Sequence, residues 1–429
     1  MNILLLGSGA REHALAYKLT QSPLCTRLFI APGNAGTERQ GDNVQVSPLD
    51  FAAIRSLVLR ERIELVVCGP EEPLVKGIAD FFAGDPALAH VAFAGPSRQA
   101  ALLEGSKAFA KGFMKKYGIP TAPYRIYDSA HLVEALDYVK QHPLPVVIKA
   151  DGLAAGKGVF VCETEQEAKE QVMALLRDKK LGVAGTTVVI EQFLQGIEMS
   201  VFILTDGQRY VLLPEAKDYK RIGEGNTGPN TGGMGALSPV PFANAALMQK
   251  IEHRILQPTL KGLQQEEITY RGFLYVGLMI VGDDPFVVEY NCRLGDPETQ
   301  VVVPRIRTDL VNLLVQAATD ELQIENLDIL PYKAVGIVLA SKGYPGSYET
   351  GRVIENLSLT SECLIFHAGT RRRTDGQIET AGGRVLTVTA FDRSLAKARQ
   401  QALRNAELIR FEGKYFRRDI GDDVGIQYH

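Results

Sequence analysis

Short apolar runs alternate with longer stretches of helical periodicity over the first hundred residues. The runs have the length and the β-former content of buried strands; they are Asn2–Leu6, Arg27–Ala31, Leu65–Cys68 and Val91–Ala94. The helical stretches between them are Arg11–Gln21, Asp50–Glu61 and Val75–Phe82. Strands separated by helices predict a parallel sheet with right-handed crossovers. In such a sheet, ligands bind at the carboxyl ends of the strands.

The rest of the chain changes character twice. A helical stretch at Ser97–Tyr117 leads into a second α/β unit, and a loop of Gly, Asn, Thr and Pro follows at Gly223–Gly235. Long loops in compact proteins are usually lids or binding loops. We therefore predict an α/β protein with a parallel-sheet N-terminal domain over residues 1–103, a central region over 104–327 and a strand-rich α+β domain over 328–429. Residues 124–193 of the central region are predicted to form a mobile lid subdomain.

Composition narrows the class of protein. The chain has 429 residues, 45% of them hydrophobic, which is too many for a single core. With 47 basic and 50 acidic residues and no basic block, nucleic acid is not an expected partner. Five scattered cysteines without a C-x-x-C pair indicate free thiols in a reducing compartment. No signal peptide or membrane-spanning run is found, so we expect a cytoplasmic protein.

The turn Gly7-Ser8-Gly9 follows a strand and opens a helix, as a dinucleotide-binding fingerprint does. Glu12 replaces the third glycine of that fingerprint, however, and the next strand does not end in an acidic residue. Free N–H groups at the helix start can instead hold a phosphate monoester. We expect such a phosphate here rather than NAD, with a purely structural glycine turn as the alternative.

A second glycine cluster is flanked by two lysines, Lys149 and Lys157. It is not a P-loop, because its glycine spacing is one residue too short and Gly158 replaces the magnesium-binding Ser or Thr. Small residues such as Gly156 let backbone amides close over phosphate oxygens, and the lysines supply point charges. The alternative is a flexible hairpin with two solvated lysines.

The strand that begins at Phe286 ends in polar residues. Glu289 and Asn291 fall on one strand face because side chains alternate, and their oxygens suit Mg²⁺. Arg293 is a bidentate donor for a carboxylate or phosphate. We interpret this segment as a metal and substrate shelf; the alternative is a solvated strand end followed by a Gly-Asp-Pro turn.

These segments together resemble ATP-grasp ligases, and longer strings narrow the resemblance to the phosphoribosylamine–glycine ligase family. The match covers nearly the whole chain. Its strings are Gly7–Ala14, Ala31–Thr37, Gly69–Leu74, Asn226–Ala236, Asn291–Gln300, His367–Thr370 and Gly382–Val385.

The resemblance implies an ATP-grasp fold for the central region and a ligase activity. ATP, glycine and 5-phosphoribosylamine would give glycinamide ribonucleotide, ADP and phosphate through glycyl phosphate, in purine biosynthesis. It further implies Mg²⁺ or Mn²⁺ as the metal, small-molecule substrates as the partners, and a monomer or weak homodimer.

The resemblance also implies a role for individual residues. The nucleotide is assigned to Lys107, Lys149, Gly156, Lys157, Gly158, Glu191, Phe193, Leu194 and Glu198, and the metal to Glu289 and Asn291. The substrate-binding residues are Gly9, Gly33, Asn34, Thr37, Asn230, Thr231, Gly232 and Asp296. The first four would hold phosphoribosylamine by its phosphate, and the glycine-rich loop would cover its amine. The catalytic residues are Arg293, Lys220 and Asp218. Arg293 would neutralise the glycine carboxylate or the acyl phosphate.

Two features depart from the family pattern. Tyr219 occupies a position where the family usually has histidine, so a proton-transfer role there is in doubt; we expect histidine to be tolerated. The strand Phe273–Ile280 carries no second acidic metal ligand, so phosphate and water would complete the coordination. Two alternatives remain: an ATP-grasp ligase or carboxylase with another acceptor, and a nucleotide-binding regulator without chemistry.

Overall fold

The N-terminal region is a five-stranded parallel sheet in the order β3-β2-β1-β4-β5. A computed structural model describes residues 1–153, 158–323 and 326–424 of the chain. The strands are β1 (Asn2–Gly7), β2 (Arg27–Pro32), β3 (Asp42–Asn43), β4 (Leu65–Cys68) and β5 (Ala92–Ala94). The helices are α1 (Ala10–Leu19), α2 (Phe51–Glu61), α3 (Glu71–Val75) and α4 (Ile78–Gly84). The predicted parallel sheet is confirmed, and the short β3 is added to its edge.

Two helices, α5 (Leu102–Gly105) and α6 (Lys107–Lys116), replace the single helical stretch predicted at this point. The break lies at Ser106, whose backbone is extended with φ −139° and ψ 114°. Its hydroxyl oxygen accepts a hydrogen bond from Phe109 N at 3.0 Å. This is the geometry of a helix N-cap, which satisfies one of the free N–H groups of the first turn.

Residues 124–192 form a compact unit with its own sheet and its own core. Its elements are β6 (Tyr124–Asp128), α7 (Leu132–Gln141), β7 (Val146–Ala150), β8 (Val159–Cys162), α8 (Glu165–Leu176) and β9 (Thr187–Gln192). The antiparallel sheet has the order β6-β9-β7-β8. Buried residues of this unit, among them Val146, Ile148 and Val172, pack into a cluster separate from the other cores. A unit with its own core can move as a body.

A second sheet of the central region has the order β11-β10-β16-β17. The elements of this region are β10 (Ile197–Thr205), β11 (Tyr210–Leu212), β12 (Lys217–Asp218), β13 (Arg221–Gly223), β14 (Thr227–Asn230), β15 (Gly235–Ser238), α9 (Ala245–Ile251), a π-helical segment (Glu252–Leu256), α10 (Gln257–Gln265), β16 (Gly272–Val281) and β17 (Asp284–Asn291). The loop Gly223–Gly235 is not wholly irregular, because β13 and β14 pair as a short hairpin.

The C-terminal sheet has the order β12-β15-β18-β22-β19, with β23 also paired to β18. The remaining elements are α11 (Thr299–Val302), α12 (Leu310–Ala318), β18 (Lys333–Ser341), β19 (Cys363–His367), β20 (Thr370–Arg372), β21 (Ile378–Thr380), β22 (Arg384–Asp392), α13 (Leu395–Leu408) and β23 (Lys414–Tyr415). Short 3-10 segments connect several elements. Strands β12 and β15 flank the glycine-rich loop, so the C-terminal sheet holds both ends of that loop.

Apart from the unit at 124–192, the three regions pack against one another through shared hydrophobic clusters. A single cluster contains Leu4 of the first sheet, Val201 of the central sheet and Val388 of the C-terminal sheet. All five cysteines are free. Within the described ranges, no helix has both the length and the apolar composition that crossing a membrane requires.

A buried histidine pair joins the N-terminal and C-terminal regions. His13 Nδ1 accepts a hydrogen bond from His367 N at 2.8 Å. Asn34 Nδ2 donates to His367 O at 2.8 Å. Burial is the main cause that lowers the pKa of His13 to about 4 and that of His367 to about 3, and the charge of Arg39 contributes to both shifts. Both imidazoles are therefore neutral in the folded protein at neutral pH.

This pair predicts a loss of stability in mild acid. The unfolded chain protonates both imidazoles near pH 6.5, whereas the folded protein resists until about pH 4. The unfolded state therefore binds more protons in this window, and stability falls as the pH decreases through it. For His13 alone we expect a loss of about 2 kcal/mol between pH 7.5 and pH 5, measured by urea unfolding.

A matched pair of variants isolates the effect. His13→Asn keeps an acceptor near the Nδ1 position and removes the titration, so its stability is expected to depend less steeply on pH. The same change at the exposed His90 is expected to leave the pH dependence of the wild type. An equal slope in both variants would contradict the prediction.

Candidate active site

The polar end of β17 is shaped by a β-bulge. Gly277 of β16 pairs with Glu289, but Leu278 pairs with Val287, so Val288 is the extra residue. The Val288 carbonyl accepts a hydrogen bond from Lys149 Nζ at 3.2 Å. A Cβ atom added at Gly277 would lie 3.1 Å from Glu289 Cγ. The bulge thus brings a lysine of the 124–192 unit onto β17, and Gly277 leaves room for the carboxylate of Glu289.

Glu289 and Asn291 lie side by side, as strand alternation predicts. Asn291 Nδ2 is 3.5 Å from Glu289 Oε1. Among the residues that the structure describes, no group of three or more His, Cys, Asp and Glu side chains is arranged to hold a metal ion. A hard cation held by this pair would therefore need additional oxygen ligands from phosphate or water.

A buried carboxylate between two lysines forms the next part of the site. Glu191 Oε2 lies 3.1 Å from Lys111 Nζ and 3.0 Å from Lys149 Nζ. The other carboxylate oxygen, Glu191 Oε1, is buried and has no hydrogen-bond partner in the protein. Burial lowers the pKa of Lys111 to about 8, although Glu191 opposes the shift. Lys111 was not predicted; its position on the buried face of α6 beside Ala110 and Met114 is the only signal.

The start of α6 is fixed to the strand end that carries Lys149. The Asp151 carboxylate accepts from Ala108 N at 2.6 Å and from Ser106 Oγ at 3.0 Å. Lys107 Nζ donates to Gly152 O at 3.3 Å. Burial lowers the pKa of Lys107, and the charges of Glu289 and Lys149 also act on it. Lys107 and Lys149 are thus attached to adjoining segments, Lys107 to Gly152 O and Lys149 to Val288 O beside Glu289.

The structure describes three of the five other residues predicted to bind the nucleotide at the glycine cluster and after β9. Gly156 and Lys157 lie outside the described residues. Gly158 O accepts from Ala150 N at 2.8 Å, which closes the base of that loop. Phe193 and Leu194 follow β9 directly and are half-buried.

Asp218, Lys220 and Glu198 form a second charged group facing the shelf. Lys220 Nζ lies 2.9 Å from Asp218 Oδ2 and 3.1 Å from Glu198 Oε2. Burial alone would lower the pKa of Lys220, but the two carboxylates raise it well above its usual value. Burial raises the pKa of Asp218, whereas Lys220 lowers that of Glu198. The lysine is therefore a fixed positive charge.

Arg293 is held by two carboxylates that the sequence did not assign. Arg293 NH2 lies 2.7 Å from Glu104 Oε1, and Arg293 Nε donates to Glu71 Oε2 at 3.2 Å. Glu104 also accepts from Cys292 N at 2.7 Å. Burial raises the pKa of Glu104 to about 7, while Arg293 and Arg11 lower that of Glu71 to about 2 against the effect of burial. The guanidinium is fixed in direction, and its charge is balanced inside the protein.

The glycine turn at the start of α1 encloses the side chain of Glu12. A Cβ atom added at Gly7 would lie 2.5 Å from Glu12 Cγ, and one added at Gly69 would lie 2.1 Å from Glu12 Oε1. Glu12 Oε2 accepts from Gly9 N at 2.6 Å, and Glu12 Oε1 accepts from Arg11 Nε at 2.6 Å. The space that these glycines leave is filled by Glu12, which explains why the third fingerprint glycine is absent.

The turn after β2 is built by side chains that were predicted to touch the acceptor. Asn34 Oδ1 accepts from Gly36 N at 2.8 Å and from Thr37 N at 3.1 Å. Thr37 Oγ1 lies 2.7 Å from Asn43 Oδ1. At Gly33, where φ is +73°, an added Cβ would lie 2.1 Å from Asn43 Oδ1. Asn34 and Thr37 therefore already use their side chains to shape the turn.

Arg384 joins the shelf, the glycine-rich loop and the C-terminal sheet. Its NH1 group donates to Asp296 O at 2.6 Å and to Gly232 O at 2.7 Å. Asp296 Oδ1 accepts from Gln300 Nε2 at 2.7 Å. A Cβ atom added at Gly9 would lie 3.2 Å from Asp296 Oδ2, so this carboxylate faces the start of α1. The predicted residues Gly9, Gly232 and Asp296 are thus brought together.

Three further residues hold the loop or line the site. Thr231 Oγ1 donates to Lys220 O at 2.7 Å, and Asn230 pairs with Arg221 in the hairpin. Glu298 was not predicted; it is buried over Gly295, and burial together with the charge of Asp218 raises its pKa to about 8. Arg384 and Glu298 both lie in sequence strings that carry the family resemblance. These strings were the evidence from which the two residues could have been predicted as part of the site.

Three family descriptions match successive parts of the chain. Residues 1–104 match the N domain of phosphoribosylglycinamide synthetase, residues 105–299 its ATP-grasp (A) domain and residues 334–423 its C domain.

Relatives and solved structures are similar over nearly the whole length. A phosphoribosylamine–glycine ligase of Chlorobaculum tepidum is 46% identical over 98% of this chain and 99% of the relative. The one from Pseudomonas aeruginosa is 45% identical over 98% and 97%. A crystal structure of the ligase from Thermotoga maritima has a TM-score of 0.85 at 37% identity and covers 98% of this chain and 100% of that chain. The biotin carboxylase domain of the Hydrogenobacter thermophilus 2-oxoglutarate carboxylase, solved with MgADP, shares the fold alone: the TM-score is 0.73 at 16% identity, over 96% and 91%.

The bridge between Lys111, Glu191 and Lys149 predicts a large stability cost when its charge is removed. Glu191→Gln would leave two buried ammonium groups without a neutralising carboxylate, so we expect a loss of about 3–5 kcal/mol in the free energy of unfolding. Urea denaturation measures it. Glu72→Gln, which breaks the exposed pair between Glu72 and Lys76, is the control and is expected to change little. Equal effects of the two changes would contradict the structural role.

Proposed function

The chain belongs to the phosphoribosylglycinamide synthetase family, and from this membership we propose how its residues join glycine to phosphoribosylamine with ATP. It is an ATP-dependent ligase of purine biosynthesis, as its full-length relatives are named. The observation that carries the assignment of the site is the contact between Lys149 Nζ and Val288 O at 3.2 Å. This contact supports the proposal because Lys149, which we propose binds phosphate, lies directly beside Glu289.

The reaction needs positioning and charge neutralisation more than covalent catalysis by the protein. A carboxylate is a poor electrophile, so the γ-phosphoryl group of ATP is first transferred to glycine to give glycyl phosphate. The amine of phosphoribosylamine then attacks the acyl carbon and expels phosphate. Neither step requires a nucleophilic side chain, and fixed charges and close approach can supply the acceleration.

The residues around Glu191 fit a nucleotide. Lys107 and Lys149 are neighbouring cations that suit its phosphates, and Gly156, Lys157 and Gly158 are proposed to complete that part of the site. Glu191 Oε1 is buried without a protein partner, so it can accept a hydrogen bond from the adenine amino group. Phe193 and Leu194 would line the base. Glu198, which faces the site from β10, would accept from the ribose hydroxyls.

The shelf fits a divalent cation. Glu289 and Asn291 offer two oxygen ligands side by side. Because Gly277 has no side chain, there is room beside it for the side chain of Glu289. Mg²⁺ or Mn²⁺, when bound by this pair and by phosphate, would neutralise charge on the transferred group.

Arg293, Lys220 and Asp218 are proposed as the catalytic set around glycine. Arg293 is held in direction by Glu71 and Glu104, and it would neutralise the glycine carboxylate or the acyl phosphate. Lys220 is a permanent cation between Asp218 and Glu198. Its charge would stabilise the negative oxygens that develop when the amine attacks.

The acceptor is proposed to lie between the first sheet and the glycine-rich loop. Gly9, Gly33, Asn34 and Thr37 shape the cradle for its phosphate, through the turn that Asn34 and Thr37 build. Asn230, Thr231, Gly232 and Asp296 would cover its amine. Closure of the 124–192 unit as a lid would exclude water from glycyl phosphate. The substrates are all small molecules; a monomer or weak homodimer in the cytoplasm remains our prediction.

Glycine-dependent phosphate release tests this function. With ATP and Mg²⁺, we expect release to depend on glycine and product to form only when phosphoribosylamine is added. Turnover with an unrelated carboxylic acid and none with glycine would favour an ATP-grasp ligase with another acceptor. Nucleotide binding without any turnover would favour a regulator.

Removing the shelf carboxylate should abolish activity without unfolding the protein. Glu289→Ala is expected to retain less than about a tenth of the wild-type rate at saturating Mg²⁺, because its role is to hold a ligand rather than the core. Its melting temperature is expected to stay close to that of the wild type. Asp283→Ala, in the exposed turn before β17, is the control and should remain active. A folded Glu289→Ala enzyme with near wild-type activity would refute the metal role.

A further inference from the structure

The segment Lys217–Lys220 presents different side chains to its two sides. Asp218 and Lys220 point to the site and pair with each other. Lys217 and Tyr219, on the other side, both contact Asp423: Lys217 forms an ion pair with it, and Tyr219 OH donates to Asp423 Oδ1 at 2.5 Å. Because side chains alternate along an extended segment, position 219 faces away from the reacting groups. Tyrosine at this position therefore removes no proton-transfer group from the site.

The Tyr219 hydroxyl is held on both sides. Besides donating to Asp423, it accepts a hydrogen bond from Gly421 N at 3.0 Å. Burial and the nearby Asp423 carboxylate raise the pKa of Tyr219, so the hydroxyl stays protonated. Tyr219 is only 2% exposed. It is a fixed attachment point for the segment Tyr415–Asp423, here called the C-terminal clamp.

Arg417 is the centre of the clamp. It is completely buried, and its guanidinium lies 5.3 Å from the centre of the Tyr219 ring. Asp419 pairs with it through two hydrogen bonds of 2.7 and 2.8 Å. The same guanidinium donates to Arg221 O at 3.0 Å and to Asn226 Oδ1 at 3.1 Å. One neutralised cation thus connects Tyr219 to the hairpin Arg221–Asn230.

Other clamp residues contact the hairpin between Arg221 and Asn226. Tyr415 OH donates to Ile222 O at 2.8 Å. Asp419 Oδ2 accepts from Gly225 N at 2.8 Å, and Glu224 Oε1 accepts from Arg418 N at 3.0 Å. Within the described chain, the hydrogen bonds that tie residues 221–226 to another part of the protein all come from the clamp. The hairpin has two paired positions of its own, and a hairpin that short is marginal alone.

We propose that Tyr219 and the clamp are positioning elements that hold the hairpin Arg221–Asn230 over the acceptor amine. This inference rests on the proposed function, in which the loop after the hairpin covers that amine. The hairpin runs directly into Thr231 and Gly232, which contact Lys220, Arg384 and Tyr344 rather than the clamp. A displaced hairpin would admit water to the acyl phosphate and misplace the amine, and small misplacements are costly for such reactions.

The test uses two changes that each remove one hydroxyl, Tyr219→Phe and Tyr415→Phe, in the full chain. Product and released phosphate are measured together, with KM for ATP and for phosphoribosylamine. We expect the phosphate released per product to rise several-fold and KM for phosphoribosylamine to rise, with KM for ATP unchanged. Tyr210→Phe, which removes a hydroxyl that contacts Glu252 at 3.4 Å, is the control and should keep the wild-type ratio.

Each outcome is decisive for one of the two ideas. Folded variants with the wild-type ratio and the wild-type KM for phosphoribosylamine would overturn the clamp. A wild-type enzyme without glycine-dependent turnover would instead overturn the proposed function. If Tyr219→Phe does not fold, Tyr415→Phe, on a half-buried residue, decides alone. We expect Tyr219→His, unlike Tyr219→Phe, to be tolerated, because the family usually has histidine at this position and an imidazole N–H can also donate to a carboxylate.

Discussion

The site depends on the neutralisation of buried cations at the junction of the 124–192 unit with the rest of the protein. Glu191 balances Lys111 of α6 and Lys149 of β7 with one carboxylate oxygen, and burying either cation unpaired would be strongly unfavourable. Lys149 then reaches the bulge in β17 at Val288. Because these contacts join β9, β7, α6 and β17, the lysines proposed to bind the nucleotide lie beside the proposed metal shelf in this structure.

Strand alternation decides which residues belong to the chemistry. On β17 it places Glu289 and Asn291 together, and around β12 it places Asp218 and Lys220 toward the shelf. The same rule sends Tyr219 to the opposite side, where it meets Asp423 and Arg417. A four-residue string of family-like sequence therefore has two separate sets of contacts, one around Lys220 and one with Asp423 and Arg417. The departure from the family at position 219 falls on the second set.

Local pattern was sufficient for the elements and for the residues at strand ends. The parallel sheet, the strands around Lys149 and the pair Glu289 and Asn291 follow from periodicity and turn residues. What could not be predicted are contacts between distant segments: Glu71 and Glu104 on Arg293, or Lys111 on Glu191, lie 80 to 222 residues apart in sequence. The hairpin in the glycine-rich loop was missed because its ladder is too short to leave an alternating pattern. The phosphate expected at the first glycine turn stays a prediction, and the structure adds that these glycines make room for Glu12.

Internal pairing of the charged groups also bears on selectivity. Arg293 and Lys220 are each matched by two carboxylates before substrate arrives, so an incoming anion competes with groups already in place. A single carboxylate from solution gains little free energy by displacing one of these protein carboxylates, because the cation is paired before and after the displacement. Binding of nucleotide phosphate and a metal at Glu289 would change this balance. The metal would add positive charge near the carboxylates that pair with Arg293 and Lys220, so these two cations could then also bind the glycine carboxylate. On the proposed function, we expect glycine to be held productively only when nucleotide and metal are present, which would limit the exposure of an activated acyl group to water.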